Sequence, residues 1–446
     1  MRGGLTKRHA TPTGAYFLPG PRARCHLEVE GDLRPQPYPT RKSLLCSLMA
    51  TALLLSGAEA LAEGNGVKFG EARVHPYFQL QTRYDSAAVM VSNGNQIIGD
   101  LVLHLRPGLK LSLPSPNFAV SLDGGLEYLW YTGVADSGAR NASHLEGDAN
   151  LDIGINRGGQ VSLDIGDKIS RSERLSNVPS IVVGALSLYN DARLQLNVKP
   201  AGGALQIEPN YHLTTEFFTP SGIVSLAGCE SGDTCDPRAV GENNYLNHTF
   251  SLNGRWKFLP KTAVTFDSAF FMRRYFGSAG TPTNGLKATL GLSGLLTTHF
   301  SALLKFGWGH DFSNGSYSSP IAQAEVGYLL SQTGQVRVGY LRSFEPVPSS
   351  AWVTYGLDRA YLDVRFLFAG KLTARAQSSL DFLSFNLAEG ADGDSRMYFN
   401  GDLGLDYELA SWISISGGYG FRYNEKGMNL ADFNRNEVYL RCQVIY

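Results

Sequence analysis

An alternation of apolar and polar residues with a period of two recurs along almost the whole chain. Between residues 100 and 113, leucine occupies nearly every second position, while His104, Arg106 and Lys110 lie on the other face. Successive side chains of a strand point to opposite sides of the sheet, so this pattern predicts strands with one apolar and one polar face. After the turn PSPN the next segment repeats the pattern, with Asp123 and Glu127 on its polar face. The chain is therefore predicted to be all β.

Predicted hairpins follow one another along the chain. After one opening strand come eight hairpins with short turns such as RGGQ, LPKT and AGK, and one closing strand ends the series. Longer polar segments separate the hairpins, so short turns and long loops alternate. We predict about 18 strands, with a range of about 16–20, and an even number is typical of a single-chain outer-membrane barrel.

The apolar face extends over the full length of nearly every predicted strand. In water, an open sheet of this kind would expose a large apolar surface and leave its edge strands unpaired. A closed barrel in lipid pairs every backbone group and turns the apolar face toward hydrocarbon. Charged residues make up only 18% of the chain, below the usual quarter of a soluble domain. The sequence predicts an all-β transmembrane antiparallel barrel over residues 63–446, with short periplasmic turns and longer extracellular loops, rather than a soluble sandwich or propeller.

The N-terminal region has the order of a secretory signal peptide. Arg41 and Lys42 precede the apolar run SLLCSLMATALLL, and the small-residue sequence at 60–62 follows it. The run is too short to span a bilayer as a helix, which needs about 20 residues. We therefore expect a cleaved signal peptide at 41–62 and export from the cytoplasm. Residues 1–40 are rich in Pro and Arg and have no periodicity; we interpret them as an over-extended gene start, with a long n-region as the alternative.

Charge and cysteine content exclude some partners. The net charge is −1 for the whole chain and about −5 without residues 1–62, so no basic excess indicates a nucleic acid partner. Cys229 and Cys235 lie in one polar segment and are candidates for a small loop disulfide in an exported protein. Two cysteines without histidine at matching spacing form only half a metal site, so no metal or cofactor is predicted.

The polar face of each predicted strand would line the lumen of the barrel. Both signs of charge are interspersed there, which indicates a wet, mixed lumen and not an ion filter of one sign. Most such charges are expected to pair across strands. The candidates for a solute path are Arg106, Lys110, Asp123, Glu127, Arg359, Tyr361, Asp363, Arg365, Asp402, Asp406 and Glu408.

Two groups within these candidates differ in charge. One predicted strand carries Arg359, Asp363 and Arg365, and another, two strands on, carries the acidic group of Asp402 to Glu408. A basic strip that faces an acidic strip across the lumen would steer polar solutes, whereas a structural ladder of salt bridges explains the same residues.

Inward aromatic residues have two interpretations. Tyr77, Tyr131 and Tyr361 fall on the inward parity and could stack against sugars. Roles in packing or in the interfacial girdle are at least as common for such residues.

Catalysis has little support in the sequence. His144 and His310 lie near predicted loops, close to Glu146 and Asp311 respectively, but no Gly-flanked serine accompanies them. We interpret these neighbours as chance adjacency and predict that the chain is not an enzyme.

Two hairpins resemble a known family. The opening hairpin, with Tyr84 and Asp85 at the end of one strand and a segment from Asp100 through Pro107 and Gly108 in the next, resembles the β-barrel porin type 2 families of Gram-negative bacteria. The segment YNDARLQLNVKPAGGALQIEPNY is similar to a central hairpin of that family. The family usually has Asn after Tyr-Asp, where this chain has Ser86.

The resemblance implies a function and partners. Members that resemble this chain occur beside polysaccharide synthesis genes, notably in myxobacteria, where the barrel would complete the outer-membrane passage for a separate periplasmic polysaccharide export protein. The final strand would close the sheet, and its terminal aromatic would be read by the outer-membrane barrel assembly machinery. The expected function is a passage for export of a polysaccharide to the cell surface.

Other functions stay open at this point. A general diffusion porin for small polar solutes is the first alternative, and the longest predicted loop, 218–243, would then be a constriction or a lid. A scaffold or adhesin with a plugged lumen is the second, and an enzyme at the rim is a distant third.

Overall fold

The computed structural model is a closed antiparallel barrel of 18 strands, β2 to β19, with a short strand β1 before them. It describes residues 65–90, 97–134, 137–173, 183–225, 241, 244–277, 282–313, 317–331, 333–346, 352–387, 394–424 and 433–446. The strands are β1 Val67–Phe69, β2 Ala72–Met90, β3 Ile97–Leu113, β4 Phe118–Tyr131, β5 His144–Ile155, β6 Val161–Glu173, β7 Val183–Val198, β8 Leu205–Ser225, β9 Tyr245–Leu259, β10 Thr262–Tyr275, β11 Thr283–Leu295, β12 Phe300–Asp311, β13 Ser318–Ser331, β14 Gly334–Pro346, β15 Trp352–Phe368, β16 Leu372–Leu387, β17 Asp394–Ala410, β18 Ile413–Asn424 and β19 Phe433–Ile445.

The sheet closes between its last strand and its first long strand. β19 pairs with β2 from Glu437 opposite Asp85 to Ile445 opposite Tyr77. The amide of Tyr446 then donates to the carbonyl of Pro76 at 3.0 Å. Each barrel strand also pairs with its neighbour in sequence, which removes both sheet edges. The predicted fold class and the predicted strand number are confirmed.

Short and long connections separate the two ends of the barrel. Connections of two to six residues join β3 to β4, β5 to β6 and the later hairpins. The end of the barrel with these short connections is called the turn end, and it also holds the C-terminal residue. The opposite end, with the long connections, is called the loop end. The strands extend further toward the loop end than predicted. The predicted loop 218–243 is partly strand, because β8 continues to Ser225, and most of the remainder lies outside the described residues. The backbone pairing of β7 and β8 continues there, with Val183 opposite Ser225.

The outward face is largely apolar around the whole circumference. Its exposed side chains include Leu440 at 62%, Phe306 at 60% and Leu290 at 59%. Aromatic residues flank this band: Phe118 and Trp412 lie at the turn end, and others lie toward the loop end. Such girdles are typical of barrels that lie in a bilayer.

Inward glycines make room for large side chains on neighbouring strands. A Cβ atom added at Gly108 would lie 2.1 Å from the ring of Tyr77, and one at Gly339 would lie 2.2 Å from the ring of Tyr361. These strand neighbours are in register with the aromatic residues that fill the space. The tyrosine rings can therefore lie along the wall instead of standing into the lumen.

Two short 3₁₀ helices, Ser137–Ala142 and Pro200–Gly203, interrupt the connections. No helix in the described part of the chain is long and apolar enough to span a bilayer.

Candidate solute path through the barrel

Ion pairs between adjacent strands and between strands two apart cover the wall formed by β3, β4 and β5. His104 Nδ1 lies 2.5 Å from Glu127 Oε1, and Arg106 lies 2.8 Å from Asp148. Glu127 also lies 4.0 Å from Arg106, so the two pairs form one network. His104 and Glu127 are buried by neighbouring groups, whereas Asp148 is half-buried. The candidates Arg106 and Glu127 thus face inward, and their strongest contacts are to other wall residues.

A weaker pair continues this wall toward the turn end. Lys110 Nζ lies 3.8 Å from Asp123, and the Tyr77 hydroxyl donates to Asp123 at 3.4 Å. The ammonium of Lys110 lies 5.7 Å from the centre of the Tyr77 ring. Since both charged groups are only partly covered, they are better placed than Arg106 and Glu127 to contact a solute.

The candidates on β15 pair with strands on either side. Arg359 donates to both carboxylate oxygens of Asp381 at 2.7 Å. The Asp363 carboxylate forms an ion pair with Arg337 at 3.2 Å and accepts a hydrogen bond from Gln377 at 2.8 Å. All three contacts join neighbouring strands, as in a salt-bridge ladder.

The acidic candidates on β17 belong to the same ladder. Asp402 is paired with Arg422 of β18, and Asp406 lies 3.4 Å from Arg375 of β16. Only β16 separates β15 from β17, so the two strips share one wall. The strips therefore do not face each other across the lumen, and of the two interpretations the structure supports the salt-bridge ladder. The remaining candidates, Arg365 and Glu408, lie on the inward parity near the turn end.

The structure distinguishes between the three inward tyrosines. Tyr77 and Tyr131 are 7% and 3% exposed, so neither offers a ring face to a sugar, and the packing interpretation holds for both. Tyr361 is only half-buried, and its hydroxyl donates to Glu325 at 2.6 Å. Of the three, Tyr361 is the residue that can meet a solute.

The connection between β4 and β5 folds into the barrel, which the sequence did not predict. Ala139 of the helix Ser137–Ala142 is 1% exposed and packs against Val102, Leu129 and Tyr131. These three lie on the inward parity of β3 and β4, so the helix lies against the inner wall. It also contacts β8, four strands further along the sheet. The helix therefore narrows the lumen toward the loop end.

A buried aspartate holds the start of this connection. Asp100 accepts hydrogen bonds from the amides of Gly133 and Val134 at 2.8 and 3.1 Å and from the hydroxyl of Thr132 at 3.1 Å. At the other end of the segment, Arg140 Nε donates to the carbonyl of Thr132 at 2.9 Å. The segment is thus fixed by polar contacts as well as by its apolar anchor. The small residues of the sequence GARNA were the one available signal that this loop could pack closely against a wall.

A second inward feature lies at the ends of β10 to β14. Phe344 is fully buried against Phe271 and Ile321, which have inward parity on β10 and β13. Lys287 of β11 pairs with Glu345 of β14 at 2.6 Å, three strands away. These contacts reach across several strands, so side chains from the end of β14 cover the inner wall of β10 to β13.

The barrel seam carries a cluster of deeply buried charges. Arg435 of β19 makes a two-point contact with Asp85 of β2, and it lies 2.9 Å from Glu437. All three are at most 3% exposed. The alternation in the sequence predicted no specific partner for any of the three residues, because their contacts depend on how the barrel closes.

The other sequence candidates have local roles or fall outside the described residues. His144 binds Glu146 at 3.0 Å and the carbonyl of Ala142 at 2.6 Å, which places it beside the inward helix. Among the described residues, no group of three or more His, Cys, Asp or Glu could hold a metal ion. Cys229 and Cys235, the segment 1–40 and the expected signal peptide 41–62 lie outside the described residues.

Comparisons with known proteins give only distant likenesses. No family model matches the chain, and no curated protein matches it. Among solved structures, Acinetobacter baumannii OccAB3 is similar with 11% identity and a TM-score of 0.44, over 85% of this chain and 100% of that one. Pseudomonas aeruginosa OpdQ has 11% identity and a TM-score of 0.42, over 84% and 97%. The FrpB iron transporter from Neisseria meningitidis has 7% identity and a TM-score of 0.48, over 87% and 83%. At these values the likeness carries no argument, and the barrel is established by the strand pairing of this chain.

Proposed function

We propose that this chain is an outer-membrane barrel that forms a passage for small polar solutes. One observation supports this function most strongly: the closed barrel has an apolar outer face and a charged inner wall, and the helix Ser137–Ala142 narrows its lumen. The wall lets water and polar groups enter, while the narrow part limits the size of what passes.

The height of the apolar band fits a bilayer. On β4, Phe118 and Trp130 mark the two aromatic girdles and lie 12 residues apart on the outward face. At about 3.3 Å per residue and a tilt of about 45°, this corresponds to about 28 Å of height. Outer-membrane barrels have an apolar band of about 25 Å. The expected export signal at 41–62 agrees with this location.

The arrangement of charges favours weak contacts with many solutes over tight binding of one. Arg359, Asp402 and Asp406 are held by partners on neighbouring strands. A solute would have to compete with these ion pairs, so each contact would be weak. Conduction requires release as well as binding, and weak contacts favour release.

Export of a polysaccharide is the second candidate, and it is the finer function that the first hairpin implies by its resemblance. The supporting observation is the motif around Tyr84, Asp85 and Asp100. In this structure Asp85 and Asp100 hold the seam and the inward connection. A polymer would need a wider passage than a small solute does, and the inward helix narrows the lumen. A periplasmic export partner is expected only under this second proposal.

Two measurements test and separate these functions. The full chain, folded into planar bilayers, is expected to conduct ions, and swelling of liposomes is expected with small neutral sugars but not with long oligosaccharides. A chain that folds but neither conducts nor admits small sugars would refute the first proposal. Deletion of the gene with restoration from a plasmid tests the second: loss of surface polysaccharide with accumulation in the periplasm would support export, and unchanged surface polymer would contradict it.

A further inference from the structure

The outer face of the barrel carries an acidic side chain at the middle of its apolar band. Asp167 of β6 is exposed and points outward between Ile165 and Ile169. It lies six residues from Val161, the first residue after the short turn. At about 3.3 Å per residue and a tilt of about 45°, this is about 14 Å above the turn. A carboxylate at this depth would face hydrocarbon if the barrel were alone in the membrane.

The partner of Asp167 does not neutralise it. Asn190 Nδ2 of β7 donates to its carboxylate at 2.6 Å, and within the described ranges Asp167 has no ion pair. Asp358, another outward aspartate, lies nearer the loop end and pairs with Arg342 at 3.0 Å. Because a carboxylate in hydrocarbon is unfavourable unless it is paired, the surroundings of Asp167 are incomplete in a single chain.

Three of the outward residues around this pair are small, although Leu151 of β5 lies directly opposite Asp167. Gly147 and Ala149 of β5 and Ala192 of β7 lie on the same face, in register with or diagonal to Asp167 and its neighbours. Elsewhere the apolar band consists largely of Leu, Phe, Val and Trp. Small side chains allow another backbone to approach closely, and a polar group buried in that contact would be shielded from lipid.

A complementary polar pair lies two strands further along the same face. The Tyr211 hydroxyl of β8 lies 2.8 Å from His248 Nδ1 of β9, and both side chains point outward. If Tyr211 donates to Nδ1, then Nε2 of His248 carries a proton that it can donate elsewhere. If Nδ1 donates instead, the Tyr211 hydroxyl keeps a proton to donate. Either tautomer leaves one donor beside a face that has an acceptor at Asp167.

We propose that the outward face of β5 to β9 is a contact surface between copies of this chain in the membrane. The flank with Asp167 and Asn190 on one copy would lie against the flank with Tyr211 and His248 on the next. Copies related by an axis along the membrane normal meet at equal depth. Tyr211 lies six residues from Leu205, the same distance from a short turn as Asp167. A contact between different flanks is heterologous, and it can close into a ring. The proposal does not depend on what the barrel conducts.

The test uses the full chain and a matched pair of substitutions. Ala192→Trp places a large side chain in the centre of the proposed surface, and Ala376→Trp places one on the outward face of β16, on the opposite wall. Each protein is cross-linked in native membranes and then measured by light scattering after extraction in a mild detergent. Circular dichroism and resistance to SDS without heating confirm that each barrel is folded.

We expect the native chain and Ala376→Trp to form the same oligomer and Ala192→Trp to be at least tenfold more dissociated. Asp167→Leu tests the polar contact and is expected to weaken the oligomer in the same direction. A native chain that is a monomer in both measurements would overturn the proposal. An oligomer that Ala192→Trp leaves intact, or that both tryptophan variants disrupt equally, would also overturn it. The first result would leave the face exposed to lipid, and the others would place the contact elsewhere.

Discussion

Loss of Arg435 should destabilise the barrel more than loss of any exposed lumen arginine. Arg435 joins β19 to β2 at the seam, where it contacts the carboxylates of Asp85 and Glu437. Asp85 is 0% exposed and Glu437 is 1% exposed. The substitution Arg435→Met keeps much of the apolar stem but leaves two buried carboxylates without this cation.

The structure sets how much the Arg435→Met substitution should lower the free energy of unfolding. Removal of one partner from a buried ion pair costs about 3–5 kcal/mol, because the other charge is left uncompensated. The guanidinium of Arg83 lies close enough to interact with both Asp85 and Glu437, so part of the lost attraction is replaced. We therefore expect the free energy of unfolding to fall by about 3 kcal/mol, at the lower end of that range. The double variant Asp85→Asn with Arg435→Met should lose less than the sum of the single variants, by about 1–3 kcal/mol, because the two side chains are in contact.

The assay is equilibrium unfolding in urea, followed by tryptophan fluorescence of the chain folded into lipid vesicles. The control is Arg365→Met on β15, since Arg365 is exposed to the lumen, and its expected cost is below about 1 kcal/mol. An Arg435→Met variant as stable as the control, or effects of Asp85 and Arg435 that simply add, would refute the reasoning about the seam.

Three further outcomes are expected from the structure. Substitution of Gly108 by Val should lower the free energy of unfolding by about 1–3 kcal/mol, because the new side chain must displace the ring of Tyr77. The control Gly158→Ala, in an open turn, should have little effect. Unfolding in urea measures both variants, and equal effects would contradict the packing argument. Ala139→Asp should raise single-channel conductance, because a carboxylate cannot stay among the apolar side chains that hold the inward helix. The control Val134→Asp, at a position that is 78% exposed, should leave the conductance unchanged. Unchanged conductance in both variants would show that this segment does not narrow the path. The native channel should select only weakly between cations and anions, since its wall carries both signs of charge; a reversal potential close to that of an ideally selective pore, measured across a salt gradient, would be inconsistent with such a wall.

The sequence was most informative where the physical cause is local. The alternation through Leu101 to Leu113 follows from the geometry of an extended chain, and it was sufficient to predict strands, their outward faces and the approximate strand number. Turn-forming residues likewise predicted the positions of the short connections, because their effect is also local. Strand ends were less predictable, because β8 extends past residue 218 through pairing with β7, and that pairing depends on another part of the chain.

The inward helix and the ion-pair partners could not be predicted from one sequence. The alternation shows that Arg359 and Asp402 face inward, but it does not show whether opposite charges lie on adjacent strands or on opposite walls. Likewise the segment at 137–142 has no strong periodicity, and its position depends on an apolar patch formed by Val102, Leu129 and Tyr131 on two strands.

One physical reason separates the features that the sequence determined from those that only the tertiary structure decided. By itself the sequence determined that the chain forms strands with an apolar and a polar face, because each side chain's direction depends only on its own strand. The tertiary structure decided which polar groups meet, because that depends on the register and closure of the whole sheet. Asp85 and Arg435 are 350 positions apart in the chain and are brought into contact only when the last strand pairs with β2.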